Sequence, residues 1–241
     1  MPATPSLVVA GLTPMTTLDF PDRLACVVFT QGCPLRCGYC HNPQMLPTKQ
    51  PTTEPGEQTP NWQTIEAFLT SRRGLLEAVV FSGGEPTSQA ALLPAVIQTQ
   101  QLGFKVGLHT SGVNPSRLEK LLPYLDWVGL DIKAEPADYQ RITGRPGVAK
   151  KAEKSLQLIQ TAACNYQVRT TLHPQDFNLL GINNLLHWLA EKQVSKVALQ
   201  IARAGQCLDP AYQTLEQPFL KSDLQAIVSQ HQSSFSQLLL S

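Results

Sequence analysis

Charge is scarce in this chain of 241 residues. Asp, Glu, Lys and Arg make up 15% of it, against a usual ~25% in globular proteins. The net charge is +1, which gives no electrostatic reason to expect a nucleic-acid or anionic-membrane partner. Aromatic residues are few as well, at 7%. No apolar run approaches the ~20 residues that span a bilayer. The opening MPATPSLVVAGLTP has no basic residue and only a short apolar stretch, unlike a secretory leader. A cytoplasmic protein is the expectation. No internal repeat interrupts the sequence.

What is present begins with length. A chain of this size lies between one and two average domains, and α/β barrels use it as one. One domain over 1–241 is expected, with its core at about 20–205 and a C-terminal extension at 206–241. Within the core range lies a loop at 43–60, which holds Pro43, Pro47, Pro51, Pro55 and Pro60 and is denied regular ladders and helix interiors by proline.

Hydrophobic patterning predicts strands at Ala25–Thr30, Glu77–Ser82, Lys105–His109, Trp127–Ile132, Gln167–Leu172 and Lys196–Ile201. Helices are predicted at 62–73, 88–101, 115–123, 148–162, 179–192 and 221–231. The strands are continuously apolar rather than alternating, so they predict a parallel sheet covered on both faces. Pattern alone leaves a barrel and an open doubly wound sheet both standing. In either, chemistry belongs at the C-terminal strand ends.

Six cysteines in a reducing compartment point to metal or catalytic ligands rather than disulfides. Three of them, Cys33, Cys37 and Cys40, fall within eight residues after the first predicted strand, spaced CxxxCxxC. A loop this short wraps three thiolates around one small centre. On a 4Fe–4S cubane, three ligands leave one iron open, as a catalytic centre requires. Two other readings exist. Zinc would draw on His41, but adjacent Cys40 and His41 point apart. Cys37–His41 also fits the haem-attachment pattern CxxCH, which leaves Cys33 without a role. Cys26, Cys164 and Cys207 stand alone, and Cys26 is expected in the core.

CxxxCxYC after a first strand resembles the signature of the radical S-adenosylmethionine (SAM) superfamily. His41-Asn42, Thr16–Pro21 and Phe29–Cys33 resemble that family's glycyl-radical-enzyme activases, and the likeness runs from about residue 10 to 205. The fold it implies is a partial (β/α)6 TIM-like barrel. Its implied cofactors are one 4Fe–4S cluster on Cys33, Cys37 and Cys40, and SAM. The segment Phe81–Pro86 supplies Gly83 and Gly84, whose backbone would take the SAM amino group with Glu85 adding negative charge, and Tyr39 would pack on adenine. His109–Gly112 corresponds to the activases' Thr-Asn-Gly segment and supplies Thr110. Activases often carry Asp where this chain has His109, which is expected either to act directly or to pack at the rim.

Leu130–Lys133 resembles the activases' Leu-Asp-Leu-Lys. Strand alternation places Asp131 and Lys133 on one face, a costly pair in an interior unless a ligand engages it. The resemblance gives Lys133 the SAM carboxylate and sets Asp131 near the substrate glycine. Arg169 is a further candidate for SAM. The implied partners are a glycyl radical enzyme, with anaerobic ribonucleoside-triphosphate reductase the expected one, and a one-electron reductant such as flavodoxin or ferredoxin. Two rival functions remain: a radical SAM enzyme acting on a small molecule, such as a 7-deazapurine synthase, and a non-catalytic iron–sulfur protein.

Overall fold

The first strand escapes a hydrophobicity reading because it contains Gly11 and Pro14, residues that weaken or displace a strand. In a computed structural model that describes residues 6–48, 60–215 and 218–241, Val9–Thr16 nevertheless forms β1. It pairs antiparallel with β2, Ala25–Thr30, and bulges at two places in the register. The strands β3 (Ala78–Gly83), β4 (Lys105–Thr110), β5 (Trp127–Asp131), β6 (Asn165–Leu172) and β7 (Lys196–Ile201) then follow in parallel. A last strand, β8 (Gln237–Leu240), lies parallel to β7. The sheet order is β1 to β8 without a swap. The six expected strands are therefore the parallel centre of an eight-stranded, mostly parallel sheet, and residues beyond 205 contribute its final strand.

Helices α1 (Trp62–Ser71), α2 (Leu92–Gln101), α3 (Pro115–Leu121), α4 (Tyr139–Thr143), α5 (Val148–Thr161), α6 (Leu179–Glu191) and α7 (Lys221–His231) connect the strands. Asn61 caps α1 by accepting from the Thr64 amide, and Asn178 caps α6 through the Gly181 amide, the local chemistry that starts a helix where its first N–H groups lack partners. In α5, Val148, Ala152, Leu156 and Ile159 are buried on one stripe, as the 3.6 period requires. The expected proline-rich loop opens as a single 3-10 turn at Pro43–Met45. Its residues 49–59 lie outside the described residues. No helix among the described residues is long and apolar enough to cross a membrane.

Alternate residues of the strands feed two cores. Cys26, Val28, Val79 and Phe81 join the large cluster that includes Ile65, Leu69 and Leu156 from the helices. Ala25, Val27, Ala78 and Val80 join a small one with Phe20 and Trp127. This is the barrel interior, and Phe20 fills it from below, its ring 6.0 Å from that of Trp127. Gly107 makes the room: a Cβ there would stand 3.0 Å from the Phe20 ring. Burying this ring is worth about 2–3 kcal/mol. The chain turns back into β2 through Asp22, held at a left-handed φ of 58°. The Thr16–Pro21 motif thus plugs the barrel at the end opposite the strand termini that carry the other motifs.

Candidate active site

The loop after β2 is braced in four ways. From within, the Gln31 side chain donates to the Gln44 and Pro47 carbonyls at 2.8 and 2.9 Å. The Gly32 and Cys33 amides donate to Met45 and Leu46. From β3, the Glu85 amide donates to the Gly32 carbonyl at 2.9 Å. Close approach there demands glycine: a Cβ on Gly84 would lie 2.5 Å from the Gly32 oxygen, and one on Gly83 (φ +107°) would lie 2.4 Å from the Thr30 nitrogen. From α4 and the turn after it, the Thr143 carbonyl accepts from the Arg36 amide and Arg145 Nε donates to the Pro34 carbonyl, both at 2.9 Å.

The fourth brace is a strap formed by residues 206–213, after β7. The Leu208 amide donates to the Cys40 carbonyl at 3.0 Å and the Asp209 amide to the Gly38 carbonyl at 3.1 Å. Tyr212 packs tilted against His173, with centroids 4.6 Å apart and planes at 43°, and donates its hydroxyl to Asp176 Oδ1 at 2.8 Å. Arg141 Nη1 reaches the same oxygen at 2.9 Å. Neither Asp176 nor Tyr212 was expected from sequence. They lie 36 positions apart and join only through the fold. Adjacent Cys207 is buried, with Sγ 3.9 Å from His41 Nδ1.

Cys33, Cys37 and Cys40 line one cavity of about 130 Å³. Tyr39, Gly83 and Gly84 line it from the loop and β3, and His109, Thr110, Asp131 and Lys133 from β4 and β5. The fold therefore gathers the sequence-predicted residues of four strand ends into one wall. Arg169 stands behind Asp131: its Nε and Nη2 contact Oδ1 at 2.9 and 2.8 Å. Lys133 Nζ contacts Asp131 Oδ2 at 3.3 Å and lies 5.7 Å above the Tyr39 ring. Burial alone would raise the Asp131 carboxyl, but Arg169 and Lys133 outweigh it and hold it at about 2. Burial would lower Lys133, yet Asp131 keeps its ammonium well above the usual lysine range. Arg169 neutralises Asp131 from behind, which leaves the Lys133 ammonium on the cavity wall, suited to an anionic ligand.

His109 is buried and neutral, its imidazole held down at about 3 by burial and then by Arg169. Its Nε2 lies 3.1 Å from Arg169 Nη1 and 3.2 Å from the Asp19 carbonyl, so it connects the barrel plug to the ionic group. Glu85 is 1% exposed, and its two oxygens accept five hydrogen bonds, from Thr87 N and Oγ1, Thr110 Oγ1, and Ser111 N and Oγ. Glu85 and Thr110 thus tie β3 to β4 within the cavity wall.

The donor set suits an iron–sulfur cubane. Among the described residues, no three His, Cys, Asp or Glu side chains gather as ligands of one metal ion. Three thiols instead surround a shared space. Burial and Glu85 push the Cys33 thiol up to about 12, and burial raises Cys37, so loading a metal centre must release protons.

Residues 27–177 match the family model of the Radical SAM superfamily. A Methanocaldococcus jannaschii protein, provisionally named a glycyl-radical enzyme activating enzyme, is 27% identical over 219 residues, which are 87% of this chain and 86% of that protein. The pyruvate formate-lyase-activating enzyme of Clostridium pasteurianum is 35% identical over 136 residues, 54% of this chain and 55% of that one. The crystal structure of Streptococcus suis SuiB bound to S-adenosylmethionine superposes with a TM-score of 0.64 at 15% identity, over 88% of this chain and 48% of that one. The chain spans about half the length of these last two proteins.

Proposed function

The chain belongs to the radical SAM superfamily, whose members use a 4Fe–4S cluster and SAM, and within it we propose a glycyl-radical-enzyme activase that takes a hydrogen atom from a backbone glycine of its partner. The observation that carries this reading is the single cavity shared by Cys33, Cys37, Cys40, Gly83, Gly84, Asp131 and Lys133. The two activating-enzyme relatives and the activase-like Cys40-His-Asn42, Thr16–Pro21 and Leu130–Lys133 segments support it. When bound, the cluster supplies the electron that cleaves SAM to methionine and the 5′-deoxyadenosyl radical, which takes the hydrogen.

The chain's residues do the rest. Cys33, Cys37 and Cys40 would hold the cluster. The strand-end backbone at Gly83 and Gly84, which lines the cavity, would receive an ammonium group. Lys133, with its surplus charge, would take the SAM carboxylate, and Arg169 would hold Asp131 so that Lys133 stays directed inward. Tyr39 offers a buried ring for the adenine. Sites for the partner glycine would lie at the cavity mouth beside Asp131. Anaerobic ribonucleoside-triphosphate reductase is the partner we favour.

The test is anaerobic reconstitution with iron and sulfide, then incubation with dithionite, SAM and that reductase. A glycyl radical signal in electron paramagnetic resonance, with stoichiometric 5′-deoxyadenosine, is expected. SAM cleavage without that signal would reject the partner and move a small-molecule substrate to the front. An absent cluster would reject the whole reading.

A further inference from the structure

The inner face of the barrel changes character partway round. On β2, β3 and β5 it carries Ala25, Val27, Ala78, Val80 and Trp127, packed with Phe20. On β6, β7 and β8 it carries Gln167, Lys196 and Gln237. Val168, Val197 and Leu238 belong to the large core on the helix side, so alternation turns the residues before them inward. Arg169, two positions after Gln167, points the same way to reach Asp131 and His109. Val168 pairs with Val197, which makes Gln167 and Lys196 neighbours, and Lys196 pairs with Gln237. The three side chains therefore form one row across the sheet. A parallel sheet covered on both faces is apolar on both, so this polar row does not serve as core.

The row lines a cavity of about 550 Å³ at the N-terminal end of the strands, within the size range of small-molecule sites, roughly 300–1,000 Å³. Trp127, Asn165, Lys196 and Gln237, the first residues of β5 to β8, line it together, and Phe20 adds a second aromatic ring. It shares no lining residue with the cysteine cavity. Trp127 lines this cavity and His109 the other, and their rings meet edge to face with centroids 5.3 Å apart. Most of the charge around the lower cavity is matched. Lys105 pairs with Asp126 and Arg23 with Glu77, and Asp22 is exposed in the turn before β2. Lys196 is half-buried and has no acidic partner among the described residues. The carboxamides of Asn165, Gln167 and Gln237 make no hydrogen bond among those residues. One ammonium and three amides thus border the same space with their bonding capacity unused.

We propose that this cavity is a second binding site, for a small organic monocarboxylate that carries amide or urea groups beside its charge. Lys196 takes the carboxylate, since a single unpaired ammonium suits a single negative charge. Carboxamides both donate and accept, so Asn165, Gln167 and Gln237 match a ligand edge that does the same. Side chains on neighbouring strands hold their spacing better than side chains on loops, which favours a ligand of fixed, planar shape. The inference does not depend on the activase reading, because none of these residues lines the cysteine cavity.

The probe is orotate, a planar monoanion with a urea edge, titrated by calorimetry into the reconstituted full chain with and without SAM. Uracil keeps the edge without the carboxylate, and benzoate keeps a carboxylate without the edge. Orotate is expected to saturate a single site per chain whether or not SAM is present. Uracil and benzoate should each bind about tenfold or more weakly, and so should orotate to Lys196→Met, because hydrogen bonds to a charged group carry at least that factor. Asn165→Ala, at an exposed position, should weaken orotate by a smaller factor and leave the melting temperature unchanged. Absence of saturable orotate binding in the millimolar range overturns the inference. Equal affinity in the wild type and both variants also overturns it, by placing the ligand elsewhere. Displacement of orotate by SAM does the same, by placing it in the upper cavity. Should Lys196→Met fail to fold, Asn165→Ala and the comparison with uracil decide, and equal binding in both of these overturns the inference.

Discussion

The ring of Tyr212 occupies the space in front of Gly38, so that a Cβ added at Gly38 would come within 2.4 Å of it. The ring has little freedom to retreat, because its hydroxyl is bonded to Asp176 and the ring packs against His173. Gly38→Ala is therefore expected to destabilise the protein by about 1–3 kcal/mol, the usual cost of overpacking. It should also lower the iron retained after reconstitution, since Gly38 lies between Cys37 and Cys40. Thermal melts and iron analysis measure both effects. In a double-mutant cycle with Tyr212→Ala, the two substitutions should be strongly non-additive. Additive effects would show that the contact is not the cause.

Glu85 gives a second prediction. All of its five partners donate to it. Glu85→Gln keeps the shape but replaces one acceptor oxygen with a donor that faces other donors, leaving a buried N–H or O–H unpaired. A loss of about 2–4 kcal/mol is expected in chemical denaturation, because hydrogen bonds to a charged group are strong and a buried orphan is costly. A variant as stable as the wild type would mean that the carboxylate is not the clasp between β3 and β4.

The parts of the molecule that were legible in sequence share a cause. Strands buried on both faces leave continuous apolar runs, and β2 to β7 lie where those runs are. The residues on the cavity wall occupy the ends of those runs, so Gly83, Thr110 and Asp131 could be placed from the strand positions. What escaped depends on contacts distant in sequence or on elements too short to show a period. The helix α4 is five residues long and β8 four. Phe20 reads as a loop aromatic, because nothing local announces that Gly107 leaves it a seat. The Arg141–Asp176–Tyr212 group joins three segments that no spacing rule connects.

Acid should weaken the fold through His109. Its imidazole titrates at about 3 in the folded protein, against an ordinary 6.5. Between those values the unfolded chain binds a proton that the folded chain refuses. The stability that depends on neutral His109 is thus complete above about 6.5 and is lost as pH falls, by at most about 1.4 kcal/mol per pH unit. Asp131, held at about 2 against 3.8, adds a loss of the same sign only below its ordinary value. His109→Gln should flatten the stability-against-pH curve between about pH 6.5 and 4, with His173 and His231, also lowered by burial, still present in both proteins. Urea titrations across that range decide it. Parallel curves for the two proteins would mean that His109 charges freely in the fold.

Four cysteines lie in or beside the loop after β2, and the structure separates their roles. Cys33, Cys37 and Cys40 line the cavity, while Cys207 does not. Cys207 is buried and lies near His41 on the strap side, and burial, then the neighbouring Cys40, raises its thiol. Cys37→Ala should therefore abolish cluster binding and SAM cleavage. Its fold should persist, because the loop remains braced by backbone bonds to α4, to Met45 and Leu46, and to the strap. Cys207→Ala should cost no more than about 1 kcal/mol and retain a full complement of iron. Iron and sulfide analysis, visible absorption and a 5′-deoxyadenosine assay on the two variants separate these expectations. Iron lost equally from both would make Cys207 a ligand and require the strap to carry the centre as well. Iron retained by Cys37→Ala would break the assignment of the centre to the CxxxCxxC loop.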